Sequence, residues 1–276
     1  MNELLLDDLI RSALKEDIGF GDVTTDSLIG REQVSDCRMG AKENGIIAGL
    51  SVVERVFRIL DPEIAFETEF ADGQAVNSGD VIARIHGNTR AILKGERVAL
   101  NLFSHMCGIA TQTSRLYKLA GRDDIFITDT RKTLPGLRML DKYAVTQGGG
   151  RNHRLNLSDL VLIKDNHIAA VGSISEAVAR ARKSAPFCTK VEVEVETLAQ
   201  LSEALAAGAD IIMLDNMSCE TMKAAVSAAR GRSLLEASGN VDESNIASVA
   251  ATGVDIISSG SLTHSVKAFD ISLKFA

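Results

Sequence analysis

The sequence predicts an α/β protein whose second half is built from repeated strand–helix units. Two observations support this prediction. Short apolar, β-branched runs recur through the second half, and Ala-rich segments with helical spacing separate several of them. The first half has a different rhythm, because a helix is followed by short strands with turns and then by another helix. We place the predicted domain boundary where this rhythm changes, near residues 107–108.

The first half begins with a helix and continues into short strands. Apolar residues at helical spacing predict a helix over residues 3–17, and the glycines that follow end it. Between residues 34 and 86, turn-forming dipeptides such as Asn-Gly and Asp-Gly separate several short strands and one helix near residues 51–60. Residues 88–119 are again predicted to be helical.

Six apolar runs in the second half predict parallel strands. They are Ile125–Thr128, Leu160–Ile163, Val191–Val195, Ile211–Leu214, Leu234–Leu235 and Ile256–Ile257. Each run ends in polar, charged or Gly residues, and α/β barrels build their active sites at the carboxyl ends of their strands. Six strands are fewer than the eight of the common barrel. The pattern therefore allows either a small or incomplete barrel or an open doubly wound sheet.

Composition excludes several classes of function. The chain has 276 residues with 30 Lys plus Arg, 37 Asp plus Glu and a formal net charge of −7, which argues against nucleic acid or an anionic membrane surface as a partner. No apolar run approaches the ~18 residues that a membrane span needs, and the acidic start lacks the basic flank of a signal peptide. Four scattered cysteines without a CxxC pair indicate free thiols, so we expect a cytoplasmic protein.

The charge is unevenly distributed along the chain. Residues 131–164, the basic window, carry seven Lys or Arg and two acidic residues, a local charge of +5. A solvated basic loop is the ordinary explanation for such a run. The position of the window directly after predicted strands favours a site for small polyanions, because Arg binds carboxylate or phosphate bidentately and Lys acts as a point charge. The triple glycine at 148–150 would let the backbone approach a ligand closely.

Polar residues at the other strand ends point to the same edge of the sheet. In VEVEVE (191–196), Glu192, Glu194 and Glu196 share one face of a strand. A solvated edge strand is the alternative, but strands within a parallel series are normally buried, and buried carboxylates need a partner, so a functional role is favoured. Lys164 and Asp215 end two further strands. Small residues and amides suited to phosphate end the last two strands, at Ser238-Gly239 and Ser259-Gly260-Ser261.

Several motifs, in order along nearly the whole chain, resemble those of the quinolinate phosphoribosyltransferases. They are GDVTTD, ENGIIAGL, ERVALN and GIAT in the first half, and TRKTLPGLRMLDKYAV, GGG, NHR, LIKDNH, VEVEVE, LDN and SGSLTHS in the second. The resemblance implies an N-terminal α/β domain of the open-faced sandwich type over residues 1–108, with the tail at 268–276 packed back on it. It also implies an incomplete six-stranded α/β barrel over residues 109–267, which decides between the two sheet architectures.

The resemblance also implies a reaction, a metal ion and an assembly. The family joins quinolinate to phosphoribosyl pyrophosphate and yields nicotinate mononucleotide, pyrophosphate and carbon dioxide on the route to NAD. Mg²⁺ is the implied cofactor. The implied assembly is a homo-oligomer, either a dimer or a hexamer of dimers, in which subunits share each active site.

The family motifs assign roles to individual residues of this chain. For quinolinate they indicate Thr130, Arg131, His153, Arg154 and Lys164, together with Arg97 delivered from a neighbouring subunit. For phosphoribosyl pyrophosphate they indicate Lys132, Lys164, Glu194, Asp215, Ser238, Gly239, Asn240, Ser259, Gly260 and Ser261. The implied catalytic set is Lys132, Lys164, Glu194 and Asp215, of which the two acids would also hold Mg²⁺, directly or indirectly. Two residues beside the site depart from the family pattern, because Cys107 replaces a common Ser and Asn240 a frequent Gly.

Three rival functions stay open. One is a paralogue on the same fold that is associated with molybdenum transport, although the NHR and IKDNH motifs together favour the quinolinate enzyme. Another is a nicotinate phosphoribosyltransferase, whose substrate has no carboxylate to lose. The third is a non-catalytic phosphate-binding barrel, which would not need the paired acids Glu194 and Asp215.

Overall fold

The computed structural model describes residues 1–275, which form two compact units. The first unit contains Met1–Gln112, Leu134–Gly149 and the chain from Val266 onward. The second unit contains Thr113–Thr133 and Gly150–Ser265. The boundary at residue 108 lies inside a long helix and stays a prediction.

Eleven helices and twelve strands form within residues 1–275. The helices are α1 (Glu3–Ile18), α2 (Val23–Leu28), α3 (Leu50–Leu60), α4 (Thr89–Ala120), α5 (Arg138–Gln147), α6 (Asp165–Val171), α7 (Ile174–Ser184), α8 (Leu198–Ala206), α9 (Cys219–Ala229), α10 (Ile246–Ala250) and α11 (Ser261–His264). The strands are β1 (Val34–Ala41), β2 (Gly45–Ile46), β3 (Ala65–Glu67), β4 (Ala75–Val76), β5 (Val81–Asn88), β6 (Phe126–Thr128), β7 (Val161–Ile163), β8 (Val191–Val195), β9 (Ile211–Asp215), β10 (Leu234–Ser238), β11 (Ile256–Ser258) and β12 (Ile271–Phe275). None of these helices is long and apolar enough to cross a membrane.

The first unit is built on an antiparallel sheet with the strand order β12-β1-β5-β3. The helices predicted over residues 3–17, 51–60 and 88–119 are confirmed as α1, α3 and α4. Helix α1 buries Leu6, Ile10 and Leu14, which recur every four residues and therefore form one apolar stripe. The side chain of Asn2 accepts hydrogen bonds from two main-chain N–H groups of its first turn and so fixes where α1 begins.

The second unit is built on a parallel sheet with the order β6-β11-β10-β9-β8-β7. All six predicted strands are confirmed. This order is the cyclic order of a barrel, but within residues 1–275 no hydrogen-bonded pairing joins β6 to β7, so both are edge strands. Three of the intervening helices, α7, α8 and α9, begin at N-cap hydroxyls, which are those of Ser173, Thr197 and Ser218.

Strand register brings the polar residues of the second unit together. Asp215 at the end of β9 is directly opposite Ser238 on β10. Met213 is opposite Glu194 on β8 and also opposite Glu236 on β10. Since register partners in a sheet point to the same face, these side chains lie on one face of the sheet, near the carboxyl ends of its strands.

Candidate active site

A cleft of about 650 Å³ opens at the carboxyl ends of the strands of the second unit. Every residue predicted for the site lines this cleft except Arg97, whose exposed side chain lies on α4 in the first unit. The lining also contains residues that the sequence did not single out for a role in the site. They are Leu162, Met213, Asn216, Glu236, Val241, Asp242, Ser258 and His264.

Two threonine side chains hold the main chain of the segment that follows β6. The N–H of Lys132 donates to Thr130 Oγ1 at 3.0 Å, and Thr263 Oγ1 donates to the Lys132 carbonyl at 2.8 Å. A methyl group at Gly260 would lie 2.8 Å from Lys132 Cδ. Gly260 therefore leaves the space through which the Lys132 side chain passes along the cleft.

Two charged groups of opposite sign meet at the ends of β7 and β8. Lys164 Nζ donates to Glu194 Oε2 at 2.6 Å, and the Glu194 side chain is only 13% exposed. The main-chain N–H of Lys164 donates to His167 Nδ1 at 3.0 Å, which fixes the turn from which the lysine projects. The pair places an ammonium and a carboxylate side by side in the cleft.

Asp215 is oriented by a chain of side-chain amides. Asn216 Nδ2 donates to Asp215 Oδ2 at 2.9 Å, and Asn240 Nδ2 donates to Asn216 Oδ1 at 3.1 Å. Both asparagines have φ of 51°, in the left-handed region that Asn tolerates better than most residues. A methyl group at Gly239 would overlap the Asn216 amide. Gly239 is therefore required by the close approach of this side chain as well as by its own φ of +102°.

A buried cluster of His153, Glu192 and Glu236, the glutamate–histidine cluster, lies at the cleft. His153 Nε2 is 3.2 Å from one carboxylate oxygen of each glutamate, and both glutamates are fully buried. The His153 main-chain N–H donates to Asp129 Oδ1 at 2.9 Å. The Arg154 main-chain N–H donates to His153 Nδ1 at 2.7 Å. The imidazole is therefore held at both ring nitrogens.

Burial and neighbouring charges perturb the titration of this cluster. Burial opposes a charge on His153, but the hydrogen bonds and charges of Glu192 and Glu236 outweigh burial and raise the pKa of His153 to about 10. Burial also raises the pKa of Glu192 above its usual range. The raised pKa of His153 keeps a proton in the cluster near neutral pH.

Glu236 is the main site residue that the sequence interpretation missed. Its signal is an acid in the middle of the otherwise apolar strand LLEAS, with a register position equivalent to that of Glu194. The sequence interpretation put Glu192 on the functional face of the VEVEVE strand but gave it no catalytic or binding role. Glu192 is fully buried, as expected for a strand within a parallel series, whereas Glu196 lies beyond β8 and is exposed, so it shares no buried face.

The basic window does not act as one binding site. Its seven cations include Arg138, Lys142 and Arg151, and none of these three lines the cleft. Arg138 and Lys142 lie on α5 in the first unit, and Lys142 is only 1% exposed. The Arg151 guanidinium stacks on the Phe126 ring at 3.9 Å, an arrangement that cation–π attraction favours.

Three further expectations are corrected by the local geometry. The glycines at 148–150 follow the end of α5 and do not line the cleft. The Ser259 N–H donates to the Thr128 carbonyl and its hydroxyl donates to the Val241 carbonyl, so neither is available to hold phosphate. Cys107 does not line the cleft; it is fully buried in the first unit, where its sulfur accepts a hydrogen bond from the Ala48 N–H.

The cleft combines two kinds of charge. Guanidinium and ammonium groups can hold carboxylates and phosphates, and carboxylates on adjacent strands can stabilise a positive charge that develops between them. This combination fits a reaction in which an anion leaves and a cationic centre forms.

Comparisons with known proteins agree with this geometry. The C-terminal domain of the family "Quinolinate phosphoribosyl transferase" matches residues 109–274, and the N-terminal domain of the same family matches residues 22–107. A Bacillus subtilis protein described as a probable nicotinate-nucleotide pyrophosphorylase (carboxylating) is 46% identical over 273 residues, which cover 99% of this chain and 94% of that protein. A mitochondrial quinolinate phosphoribosyltransferase (decarboxylating) from Nicotiana tabacum is 42% identical over 285 residues, which cover 96% of this chain and 81% of that protein.

Solved structures show the same similarity in three dimensions. The crystal structure of NadC from Streptococcus pyogenes superposes with a TM-score of 0.96 at 47% identity, covering 100% of this chain and 99% of that one. The nicotinate-nucleotide pyrophosphorylase from Francisella tularensis superposes with a TM-score of 0.96 at 41% identity, covering 100% of this chain and 98% of that one. On its motifs, its fold and these matches, the chain belongs to the quinolinate phosphoribosyltransferase family.

Proposed function

We propose that this chain transfers phosphoribosyl from phosphoribosyl pyrophosphate to quinolinate with loss of carbon dioxide, giving nicotinate mononucleotide and pyrophosphate in de novo NAD biosynthesis. One observation carries the proposal, namely a single cleft with four cationic side chains beside two carboxylates. They are Arg131, Lys132, Arg154 and Lys164, with Glu194 and Asp215. A site that only bound anions would be weakened by the two acids, whereas a site that stabilises a developing cation needs them.

Quinolinate binding requires charge for two carboxylates. Arg131 and Arg154 supply guanidinium groups, and the pKa of Arg154 is lowered by burial and by the charge of Arg131, so a dianion between them relieves their mutual repulsion. Lys164, after β7, and Thr130, after β6, add an ammonium and a hydroxyl to the same cleft. Each positioned donor lowers the cost of holding two anionic substrates together.

Bond formation places positive charge on the ribose. The pyridine nitrogen attacks the anomeric carbon while the bond to pyrophosphate breaks and its electrons leave with the pyrophosphate. Glu194 and Asp215 face the ribose and stabilise its positive charge, and Lys132 and Lys164 offset the charge of the leaving group. The contact of 2.6 Å between Lys164 and Glu194 sets both charges in place before substrate arrives.

Decarboxylation follows from the product of the first step. The quaternary pyridinium nitrogen stabilises the electron pair that the departing carbon dioxide leaves on the adjacent ring carbon, and a proton from water then takes up that pair. The chain has only to hold the ring in place, and no basic side chain is required.

Mg²⁺ fits the acidic edge of the cleft. Glu194 and Asp215 present carboxylate oxygens from the ends of the adjacent strands β8 and β9, and Mg²⁺ prefers such oxygen ligands. When bound, Mg²⁺ would offset negative charge on the pyrophosphate. Lys132 and Lys164 would flank it.

The phosphate groups of the second substrate are assigned to the ends of β10 and β11. Ser238, Gly239 and Asn240 lie at the first of these ends, and Gly260 and Ser261 at the second. Ser259 supports this second end through its bond to the Thr128 carbonyl. The glycines allow the phosphate to approach the main chain closely.

A homo-oligomer with a shared site is part of the proposal. Arg97 is exposed outside the cleft, so a neighbouring subunit would have to deliver it. The first unit also exposes large apolar side chains on or beside its first two helices, which a subunit interface would cover. They are Leu4, Leu5, Phe20, Val23 and Leu28. We further propose a cytoplasmic location, which the four unpaired cysteines support.

Subunit complementation tests the shared site. Arg97→Ala and Lys132→Ala proteins would be mixed under conditions in which subunit exchange is measured independently. We expect activity to return, because some mixed assemblies contain one intact site. No recovery despite demonstrated exchange would count against delivery of Arg97 from a neighbour.

One assay tests the reaction. The protein would be incubated with quinolinate, phosphoribosyl pyrophosphate and Mg²⁺, and carbon dioxide and nicotinate mononucleotide would be measured. We expect both products in equal amounts. Turnover with nicotinate but not with quinolinate would assign the chain to the nicotinate-using class, and turnover with neither would leave only a binding function.

A further inference from the structure

Helix α4 exposes a single short strip between residues 89 and 114. Among these residues, all of which the structure describes, only Arg97 and Asn101 are exposed. Both belong to the ERVALN motif, and the adjacent Val98 and Leu102 are buried. Residues four apart lie on the same face of a helix, with about 5–6 Å between their Cβ atoms. The two residues therefore form one surface, the Arg97–Asn101 strip.

The polar side chains at both ends of this strip are already engaged within the first unit. At one end, Lys94 Nζ donates to Asp26 Oδ1 at 2.7 Å. At the other end, His105 Nε2 is 2.7 Å from Asp141 Oδ1, and Asp141 is fully buried. Within residues 1–275, the two side chains of the strip make no hydrogen bond or ion pair. The strip is thus the part of this helix face that another molecule can use.

Exposed apolar side chains lie beside the start of α4. Helix α2 is joined to α4 by Asp26, which accepts hydrogen bonds from Arg90 Nη1 at 3.2 Å and from Lys94 Nζ at 2.7 Å. Helix α2 exposes Val23 and Leu28. A neighbouring subunit that covers these apolar side chains also approaches the strip, which fits delivery of the arginine from one subunit to another.

The two side chains of the strip differ in reach. Arginine carries its guanidinium beyond three methylene groups, whereas the asparagine amide follows a single methylene. Side chains on a helix lean toward its N-terminus, so Asn101 is directed over the turn that carries Arg97. When the guanidinium reaches a ligand inside a neighbouring cleft, the shorter amide reaches the protein at the rim. An amide has donors and an acceptor and can pair with main-chain groups there.

We propose that Asn101 is a positioning residue, which hydrogen-bonds to the rim of the neighbouring subunit's cleft and so sets the Arg97 guanidinium over quinolinate. This inference rests on the proposed function, in which Arg97 binds quinolinate across a subunit interface. Asn101 does not touch the substrate, and its effect on binding is transmitted by Arg97. Because one helix carries both residues, one hydrogen bond at the rim places both side chains.

A double-mutant cycle tests whether Asn101 acts through Arg97. Quinolinate affinity would be measured by calorimetry for Asn101→Ala, Arg97→Ala and the double variant, at protein concentrations where assembly is complete. We expect Asn101→Ala to weaken quinolinate binding about five-fold, as loss of one neutral hydrogen bond does, and to leave phosphoribosyl pyrophosphate binding unchanged. In the Arg97→Ala background the same substitution should change quinolinate affinity less than about two-fold, because the effects of coupled residues are not additive.

Lys94→Ala is the matched control. Lys94 lies on the same side of α4 but is paired with Asp26 of its own chain. We expect Lys94→Ala to unfold at lower urea than the parent and to bind quinolinate like the parent. A loss of affinity equal to that of Asn101→Ala would show that any change on this side of α4 impairs binding, and it would overturn the specific role of Asn101.

Mixed subunits test on which side of the interface Asn101 acts. At quinolinate concentrations below KM, Asn101→Ala mixed with Lys132→Ala should give more activity than the sum of the separate proteins. One site of each mixed pair then combines an intact cleft with an intact strip. Asn101→Ala mixed with Arg97→Ala should give no gain, because every site receives an altered strip. A gain in the second mixture would overturn the proposal.

The outcomes separate this proposal from the proposed function. An assembled Asn101→Ala protein that binds quinolinate like the parent would refute positioning, as would losses that multiply in the double variant. Weaker assembly, with parent affinity regained at high protein concentration, would make Asn101 an interface contact without a part in placing Arg97, and the proposal would fail. A parent protein that gives no product with quinolinate would instead refute the proposed function.

Discussion

Replacement of Gly239 with Ala should damage the site through Asn216. The new methyl group would overlap the Asn216 amide, which bridges Asp215 and Asn240 through hydrogen bonds of 2.9 and 3.1 Å. Asn216 must then move, so Asp215 loses the contact that orients its carboxylate. Because Asp215 is assigned to the ribose, we expect the loss to appear in the use of phosphoribosyl pyrophosphate.

The matched control is Gly172→Ala. Gly172 ends α6 with φ of +109°, close to the +102° of Gly239, but nothing lies within 4 Å of the position of its added methyl group. Backbone strain alone should cost about 1–3 kcal/mol at either position. Gly239→Ala should cost about 1–2 kcal/mol more, because two partly exposed hydrogen bonds are lost. A loss of 1.4 kcal/mol in binding corresponds to about a ten-fold rise in KM for phosphoribosyl pyrophosphate.

Urea unfolding and steady-state kinetics measure the two effects. Asn216→Gly, which removes the amide and relieves the left-handed strain, should raise KM by itself, and in combination with Gly239→Ala it should remove the additional stability loss. Equal unfolding free energies for Gly239→Ala and Gly172→Ala would refute the overlap. An unchanged KM in Asn216→Gly would refute the orientation of Asp215.

Three further predictions concern other parts of the chain. Gly260→Ala should displace Lys132, whose Cδ lies 2.8 Å from the added methyl group, and lower kcat about ten-fold or more with normal folding by circular dichroism; an unchanged kcat would contradict the assignment of Lys132. A hydrogen bond from Arg55 lowers the pKa of Asp7, so this contact stabilises the fold above the unfolded pKa of about 3.8 and is lost as pH falls through the lower folded value. Asp7→Asn should therefore unfold at lower urea than the parent near neutral pH and at the same urea in strong acid; a constant difference would contradict the linkage. Cys107→Ser should leave KM for both substrates unchanged, because Cys107 is fully buried and does not line the cleft; a raised KM would show coupling to the site.

Elements with a regular apolar period were predictable from the sequence, and α5 was not. The apolar stripe of α1 is uninterrupted, and its predicted end differs from the observed one by a single residue. Helix α5 lies in the basic window between Leu-Pro-Gly and the triple glycine, which together indicate a loop. Its helical pattern is present in Leu140, Ala144 and Val145, but two charged residues, Asp141 and Lys142, are buried beside them and hide the period.

Residues of the candidate site were predictable where they end a strand, follow one or belong to the alternating VEVEVE run, and Glu236 belongs to none of these classes. Polar groups after an apolar run, such as Lys164 and Asp215, stand out because strand ends converge at one edge. Glu236 lies within its strand, and its nearest donor comes from His153 on a distant segment. Propensity and spacing describe neighbours along the chain, so they could not predict that Glu192 and Glu236 would face one imidazole.

The net charge of the basic window also differs from the charge of the residues that line the cleft. The basic window has a charge of +5, yet the cleft is lined by four Lys or Arg and by four acids, which are Glu194, Asp215, Glu236 and Asp242. The cations follow β6 and β7 or lie at Arg154, whereas Glu194, Asp215 and Glu236 lie on β8, β9 and β10 in the interior of the sheet. A wholly cationic cleft would bind both substrates and would oppose the positive charge that forms on the ribose. In the proposed reaction, separation of the two signs within one cleft would let the cations that follow the edge strands β6 and β7 hold the quinolinate carboxylates, while the acids on the central strands would stabilise the positive charge on the ribose.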